Sequence, residues 1–167
     1  MDFKLHARHL LGTARQYTLK QLTQLVQPEH WVYRPTPTSN HALWIMGHLA
    51  IADNRFATRF RESTHLVPAG YEELFWIGTE CHSSLLAYPP IEEVRAYLDE
   101  RRENLQRVLD EVTDEELAVP VPAMDPASPM ATAPNLGQYL LYGAAHEMLH
   151  SGQLSVCCRG LGHPPLR

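Results

Sequence analysis

The chain has 167 residues, enough to bury a real core, and its apolar fraction of 44% with 20% charged residues excludes global disorder. A formal charge of −5 argues against a nucleic-acid binder, which carries a basic excess. The one abnormal count is ten histidines, so their positions must carry the functional reading.

Leu11, Ala14, Thr18, Leu22 and Leu25 recur at three- and four-residue steps, with Leu10, Tyr17 and Val26 beside them. This predicts an amphipathic helix from about Phe3 to Gln27, closed by Pro28. Pro28 to Asn40 holds three prolines and ends in Thr36-Pro37-Thr38-Ser39-Asn40, a loop whose last residue suits a helix cap. A second helix follows from about His41 to Glu62. Its lines Ile45, Leu49, Ala52, Phe56, Phe60 and Trp44, His48, Ile51 make a broad buried face. Residues 63–90 are punctuated by Pro68, Gly70, Gly78, Pro89 and Pro90. Within them Tyr71 to Ile77 reads as a short helical turn that sets Phe75 and Trp76 over an opening.

The third helix starts at Pro90, with Glu92 and Glu93 where a helix N-terminus favours them. Val94, Leu98, Arg101, Leu105, Val108 and Val112 then alternate at spacings of four and three. Thr113 to Pro134 is rich in proline and alanine, as expected of a lid, a crossover or a mobile connection. The last helix runs from near Asn135 to about Arg159, with Gly160 and Gly162 as stop signals. No segment alternates with β-branched residues, so little or no sheet is expected. The fold class is all-α: residues 1–167 form a single four-helix bundle with long connections, in up-down or up-up-down-down order.

Residues 1–61 carry eight Lys or Arg against three acids, and residues 62–126 carry fifteen acids against four bases. These read as solvated faces of opposite sign on neighbouring helices. Three cysteines, two of them adjacent at Cys157 and Cys158, do not make a disulfide framework and read as buried small residues. Met1 to His9 is charged and does not resemble a signal peptide, and the longest apolar stretch, Ala42 to Ala52, is too short for a bilayer. A cytoplasmic protein with no membrane and no nucleic-acid partner is expected.

In the last helix stands His146-Glu147-Met148-Leu149-His150. Residues four apart are about 40° apart around a helix and one turn along it, so both imidazoles lean toward one point. The pair lies on the apolar line Leu136, Tyr139, Leu140, Gly143, Leu154, Cys157. Gly143, one turn earlier, leaves room beside it. Buried imidazoles are costly unless hydrogen-bonded or ligated. A divalent ion such as zinc, nickel or iron accepts this pair geometry. The candidate third ligand is His48, on the core face of the second helix, whose claim rests on the pair it would complete. His6, His9, His30, His41, His65, His82 and His163 lie at helix starts or in loops and have weaker claims.

These residues resemble the DinB/YfiT-like metalloprotein superfamily. The resemblance runs through Ser39-Asn40-His41-Ala42-Leu43-Trp44-Ile45-Met46-Gly47-His48-Leu49-Ala50 and Tyr88-Pro89. It ends with His146-x-x-x-His150-x-Gly152-Gln153 and Arg159-Gly160-Leu161-Gly162. It implies a bundle with a long crossover, one divalent metal held by His48, His146 and His150, and a homodimer. It also implies a metal-dependent S-transferase that joins a small-molecule thiol to an electrophile. Bacillithiol, mycothiol and glutathione serve the better-understood branches.

Three neutral imidazoles would leave the ion its full charge and an open position, a pattern of reactive rather than structural sites. Glu147 is the candidate catalytic group: it would orient a ligand or take a proton, or else face solvent or a partner. Gln153 is placed to hydrogen-bond a ligand histidine. Tyr142, Arg55 and Trp76 are candidates to line the pocket. His-Glu-x-x-His also matches zinc peptidases. One peptidase branch needs Gly and His where Gln153 and Val156 stand, and another needs a later acidic ligand, whereas the sequence runs only to Arg167. A metal- or ligand-binding stress-response bundle without turnover is the alternative to the transferase.

Overall fold

Four long α-helices, two short ones and four short 3-10 helices make up the regular structure of the computed structural model, in which residues 2–122, 124 and 128–166 are described. The long ones are α1 (Phe3–Leu22), α2 (Ala42–Thr58), α4 (Ile91–Glu111) and α6 (Leu136–Gly160). The short ones are α3 (Tyr71–Phe75) and α5 (Asp114–Ala118), and no strand occurs among the described residues. The expected all-α class is what the chain adopts. Met1, Arg167 and parts of the 113–134 connection, at 123 and 125–127, lie outside the described residues.

Several boundaries differ from the sequence reading for local reasons. Asp2 caps α1 by accepting from Leu5 N at 3.2 Å. That helix ends at Leu22, short of Gln27, because Gln24 N and Leu25 N turn to the tighter bonds of Gln21 O and Leu22 O. His41, not Asn40, caps α2: its Nδ1 accepts from Trp44 N at 3.1 Å, and its opposite nitrogen donates to His82 O at 3.0 Å. The Asn40 side chain instead accepts from Cys81 Sγ. Between α4 and α6, the expected irregular connection contains α5, opened by a capping box in which Thr113 and Glu116 cap each other's backbone.

Contacts across the helices give the topology. Phe3 lies near Gly137, Leu11 near Gly143, and Gln21 donates to Ser151 at 2.6 Å, so α1 and α6 run parallel. Arg15 reaches Leu98 O and Arg102 reaches Leu11 O, so α1 and α4 are antiparallel. His48 meets His150 and Phe56 meets Tyr139, which makes α2 antiparallel to α6. The order is therefore up-down-down-up, with α2 and α4 as the second parallel pair, and neither expected order is the one found. A parallel α2–α4 pair requires the chain to cross the bundle's length between them, and the 59–90 segment makes that crossing.

The core has two apolar halves. Leu43, Ile45, Met46, Phe75, Leu98 and Leu154 belong to one, and Leu11, Phe56, Leu105, Leu109 and Leu140 to the other. Between them lies a charged belt with one residue from each long helix: Arg15, Asp53, Arg102 and Glu147. All four are buried. Asp53 Oδ2 accepts from Arg15 at 2.9 Å and Arg102 at 2.8 Å, and Oδ1 accepts from Arg102 at 2.9 Å. Glu147 accepts from Arg15 Nε at 2.7 Å and from Arg102 Nη2. Spare guanidinium hydrogens go to Leu98 O and Leu11 O. Two positive and two negative charges alternate, so the belt is neutral and each carboxylate oxygen is paired. Here the reading of charged residues as solvated faces fails.

Candidate metal centre

His48 is set by the elements on both sides of it. Gly47 precedes it because a Cβ there would fall inside the Phe75 ring, which is fully buried. The close approach brings the Phe75 carbonyl to His48, whose Nδ1 donates to it at 2.9 Å. Trp44, one turn earlier, stacks on the imidazole with ring centroids 4.7 Å apart and planes at 11°. Trp44 is itself held by a 2.8 Å bond from its Nε1 to Thr79 Oγ1. Phe75 was expected over an opening; it is instead a core residue whose carbonyl orients His48. Trp76, half-buried, does stand at the opening, 5.8 Å from the His48 ring.

α6 supplies the other two imidazoles. His150 donates from Nδ1 to Gln153 Oε1 at 2.9 Å, the contact that the three-residue spacing suggested. His146 stands one turn earlier, its ring 4.6 Å from that of His150 and stacked beside Tyr142 at 6.5 Å. His146 Nε2 lies 3.3 Å from His48 Nε2 and 3.1 Å from His150 Nε2, and the ligand atoms of all three lie within 4.8 Å of one another. They are the group that could hold a metal ion among the described residues.

The donor set fits a metal. A carbonyl only accepts, so the His48 proton sits on Nδ1 and its Nε2 presents a lone pair; the same holds for His150 against Gln153. The two lone pairs converge on His146 Nε2, at 3.3 and 3.1 Å, in a cluster that a cation could share. Nitrogens that share a tetrahedral ion at about 2.0–2.1 Å stand about 3.4 Å apart, close to the spacings found. Burial, then the neighbouring imidazoles, lowers the pKa of His48 to about 3. Burial and His150 lower that of His146 to about 4. Burial also lowers His150, partly offset by Gln153 and Glu147. At neutral pH all three are uncharged, the form that binds metal.

Glu147 is elsewhere. Its carboxylate is fully buried in the charged belt with both oxygens held by Arg15 and Arg102, so it faces neither solvent nor a partner. No oxygen is left free to take a proton at the histidines, and the peptidase reading loses its base. Gly143 makes room not for the site but for Phe56, whose ring would lie 3.3 Å from an added Cβ. His41 caps α2, while His65 contacts Asn54 and His30 contacts His163, all apart from the cluster. Cys157 and Cys158 are buried as expected, and burial raises both thiol pKa values.

A small apolar chamber of about 70 Å³ adjoins His48 and His146, lined by Ala52, Arg55, Phe56, Trp76, Ile77 and Tyr139 among others. Arg55 and Trp76 are there as expected; Tyr142 is not in its lining. Tyr139 was not foreseen as a lining residue, although it stands seven residues before His146 and so on the same helix face. The Arg55 guanidinium lies 3.8 Å over the Trp76 ring and pairs with Glu72 at 2.9 Å, fixing that wall. No helix among the described residues is long and apolar enough to cross a membrane.

A family profile of the DinB superfamily matches residues 10–154. The fold is similar to the crystal structure of a conserved protein from Enterococcus faecalis, at a TM-score of 0.66 and 18% identity, covering 98% of this chain and 99% of that one. No curated protein matches the sequence.

Proposed function

The chain belongs to the DinB superfamily, and on that premise we propose that its three histidines hold one divalent transition metal for a thiol S-transferase reaction. The observation that carries the metal is the convergence of three neutral imidazoles, two with their proton fixed on the far nitrogen. Three protein ligands beside an apolar chamber support a reactive site over a structural one, which is usually closed by four. Zinc or nickel suits imidazole ligands, and iron does as well.

When bound, the ion would lower the pKa of a coordinated thiol so that it ionises near neutral pH. The residues of the chain supply the setting. His48, His146 and His150 stay neutral and bring no competing negative charge. Phe56, Trp76, Ile77 and Tyr139 give the chamber an apolar lining. In the transfer itself, the thiolate sulfur gives its electron pair to an electrophilic carbon. The carbon–sulfur bond forms, the leaving group departs with its own pair, and the thiol proton passes to solvent. Glu147 takes no part as a base because its oxygens are committed to arginines.

The test is a panel of small thiols, including cysteine, glutathione, mycothiol and bacillithiol, each with 1-chloro-2,4-dinitrobenzene and metal-loaded protein. Thioether formation that needs the metal and one of the thiols is expected. No turnover with any thiol would move the protein to the alternative, a metal-binding bundle without chemistry of its own.

A further inference from the structure

We propose that the cleft running outward from the histidines along α2 binds an elongated ligand bearing a carboxylate, and that Arg59 is the group that holds the carboxylate. The reacting end of such a ligand rests on the transferase reading; the carboxylate site does not.

The cleft follows one line of α2. His48, Ala52, Arg55 and Arg59 are spaced four, three and four residues apart, so they share a face, and the line spans about 16 Å of helix axis. The antiparallel line of α6 opposes it, with His146 at the inner end and Tyr139 at the outer. Beyond the inner chamber the space widens to about 860 Å³, within the usual range of small-molecule sites. Arg55, Trp76, Met130 and Tyr139 line both parts, so chamber and outer cleft adjoin.

The charges at the outer end single out one residue. Arg55 is engaged by Trp76 and Glu72, and Arg61 donates to both oxygens of Glu116. Arg59 is exposed in the wall of the cleft, with its guanidinium carbon 5.7 Å from the Tyr139 ring centroid. It has no carboxylate partner among the described residues, although Glu62 lines the same cleft. A guanidinium lying against an aromatic face keeps its fork of donors for a planar anion, and carboxylate is the best match to that fork. Aromatic and thioether side chains between Arg59 and the histidines suit an apolar middle. The ligand class is therefore a molecule with a reactive or sulfur-bearing end, an apolar body and a carboxylate one helix-length step away.

The probe pair is 10-mercaptodecanoate and its neutral amide, whose polymethylene body sets sulfur and carboxylate far enough apart for the cleft, titrated by calorimetry into metal-loaded protein and into protein stripped by chelator. The acid is expected to bind about tenfold tighter than the amide, the scale of one charge-assisted contact. Arg59→Gln should bring the acid to the level of the amide and leave the amide unchanged, whereas Lys20→Gln, on α1, should change neither. The preference should persist without metal, so a failed metal centre and a failed carboxylate site give different results. Equal binding of acid and amide, binding of neither, or an undiminished preference in Arg59→Gln would overturn the proposal.

Discussion

The Glu147 carboxylate accepts from Arg15 Nε at 2.7 Å in the middle of the bundle, although His146, its neighbour in sequence, faces the chamber. Consecutive residues point about 100° apart on a helix, so α6 feeds two adjacent sites at one level. One face carries the imidazoles and the next carries the belt that locks all four long helices together.

Replacing Glu147 by Gln would leave Arg15 and Arg102 with one carboxylate between them in a buried setting. Removing one partner of such a network costs about 3–5 kcal/mol. Glu147→Gln should therefore lower the urea midpoint strongly. A variant of unchanged stability that had lost only activity would mean that Glu147 acts at the metal after all.

Gly47→Ala asks whether the Phe75 contact aims His48. The added Cβ collides with a ring that has no free side to move into. Overpacking of this kind costs about 1–3 kcal/mol. Because the Phe75 carbonyl orients His48, metal affinity should fall along with stability. Equilibrium competition with a chromogenic chelator measures the first and thermal melting the second; unchanged affinity would separate Phe75 from the site.

Gln153 is expected to act through His150. Loss of a hydrogen bond to a ligating imidazole weakens metal binding by about 10–100-fold. Gln153→Ala should show a loss of that size in the same chelator competition, and Gln153→Glu, which keeps an acceptor, should not. Equal affinity in the Ala variant would reduce the 2.9 Å contact to helix packing.

His41 provides the pH test away from the metal cluster. Burial lowers its pKa to about 4 from an ordinary 6.5, so the unfolded chain binds the proton more readily than the native one. Its contribution is intact above pH 6.5 and is lost as pH falls toward 4, by up to about 3 kcal/mol. In metal-free protein, His41→Asn, which can cap α2 without titrating, should lose less stability over that window than the parent. Parallel pH profiles would contradict the assignment.

The helices and the three histidines were legible because each rests on a periodicity within one element, such as the four-residue step from His146 to His150. The belt was not. Arg15, Asp53 and Arg102 each look like a polar residue on its own helix, and only the packing of chain segments far apart in sequence pairs them. The α2 cap was misplaced by one residue because Asn40 is the better capping type, while the pocket formed by His82 and Tyr88 selects His41. The capping box of α5 stands in the sequence as Thr113-x-x-Glu116, masked by the proline- and alanine-rich stretch that follows it. Topology could not be read from periodicity, which carries no information on helix direction.

The central claim is the three-histidine metal centre, and elemental analysis of the purified protein tests it most directly. After loading and removal of excess ion, the parent protein should carry about one divalent first-row metal per chain, and His150→Ala should lose most of it. Full metal content in His150→Ala with its fold intact, or none in the parent protein, would contradict the account.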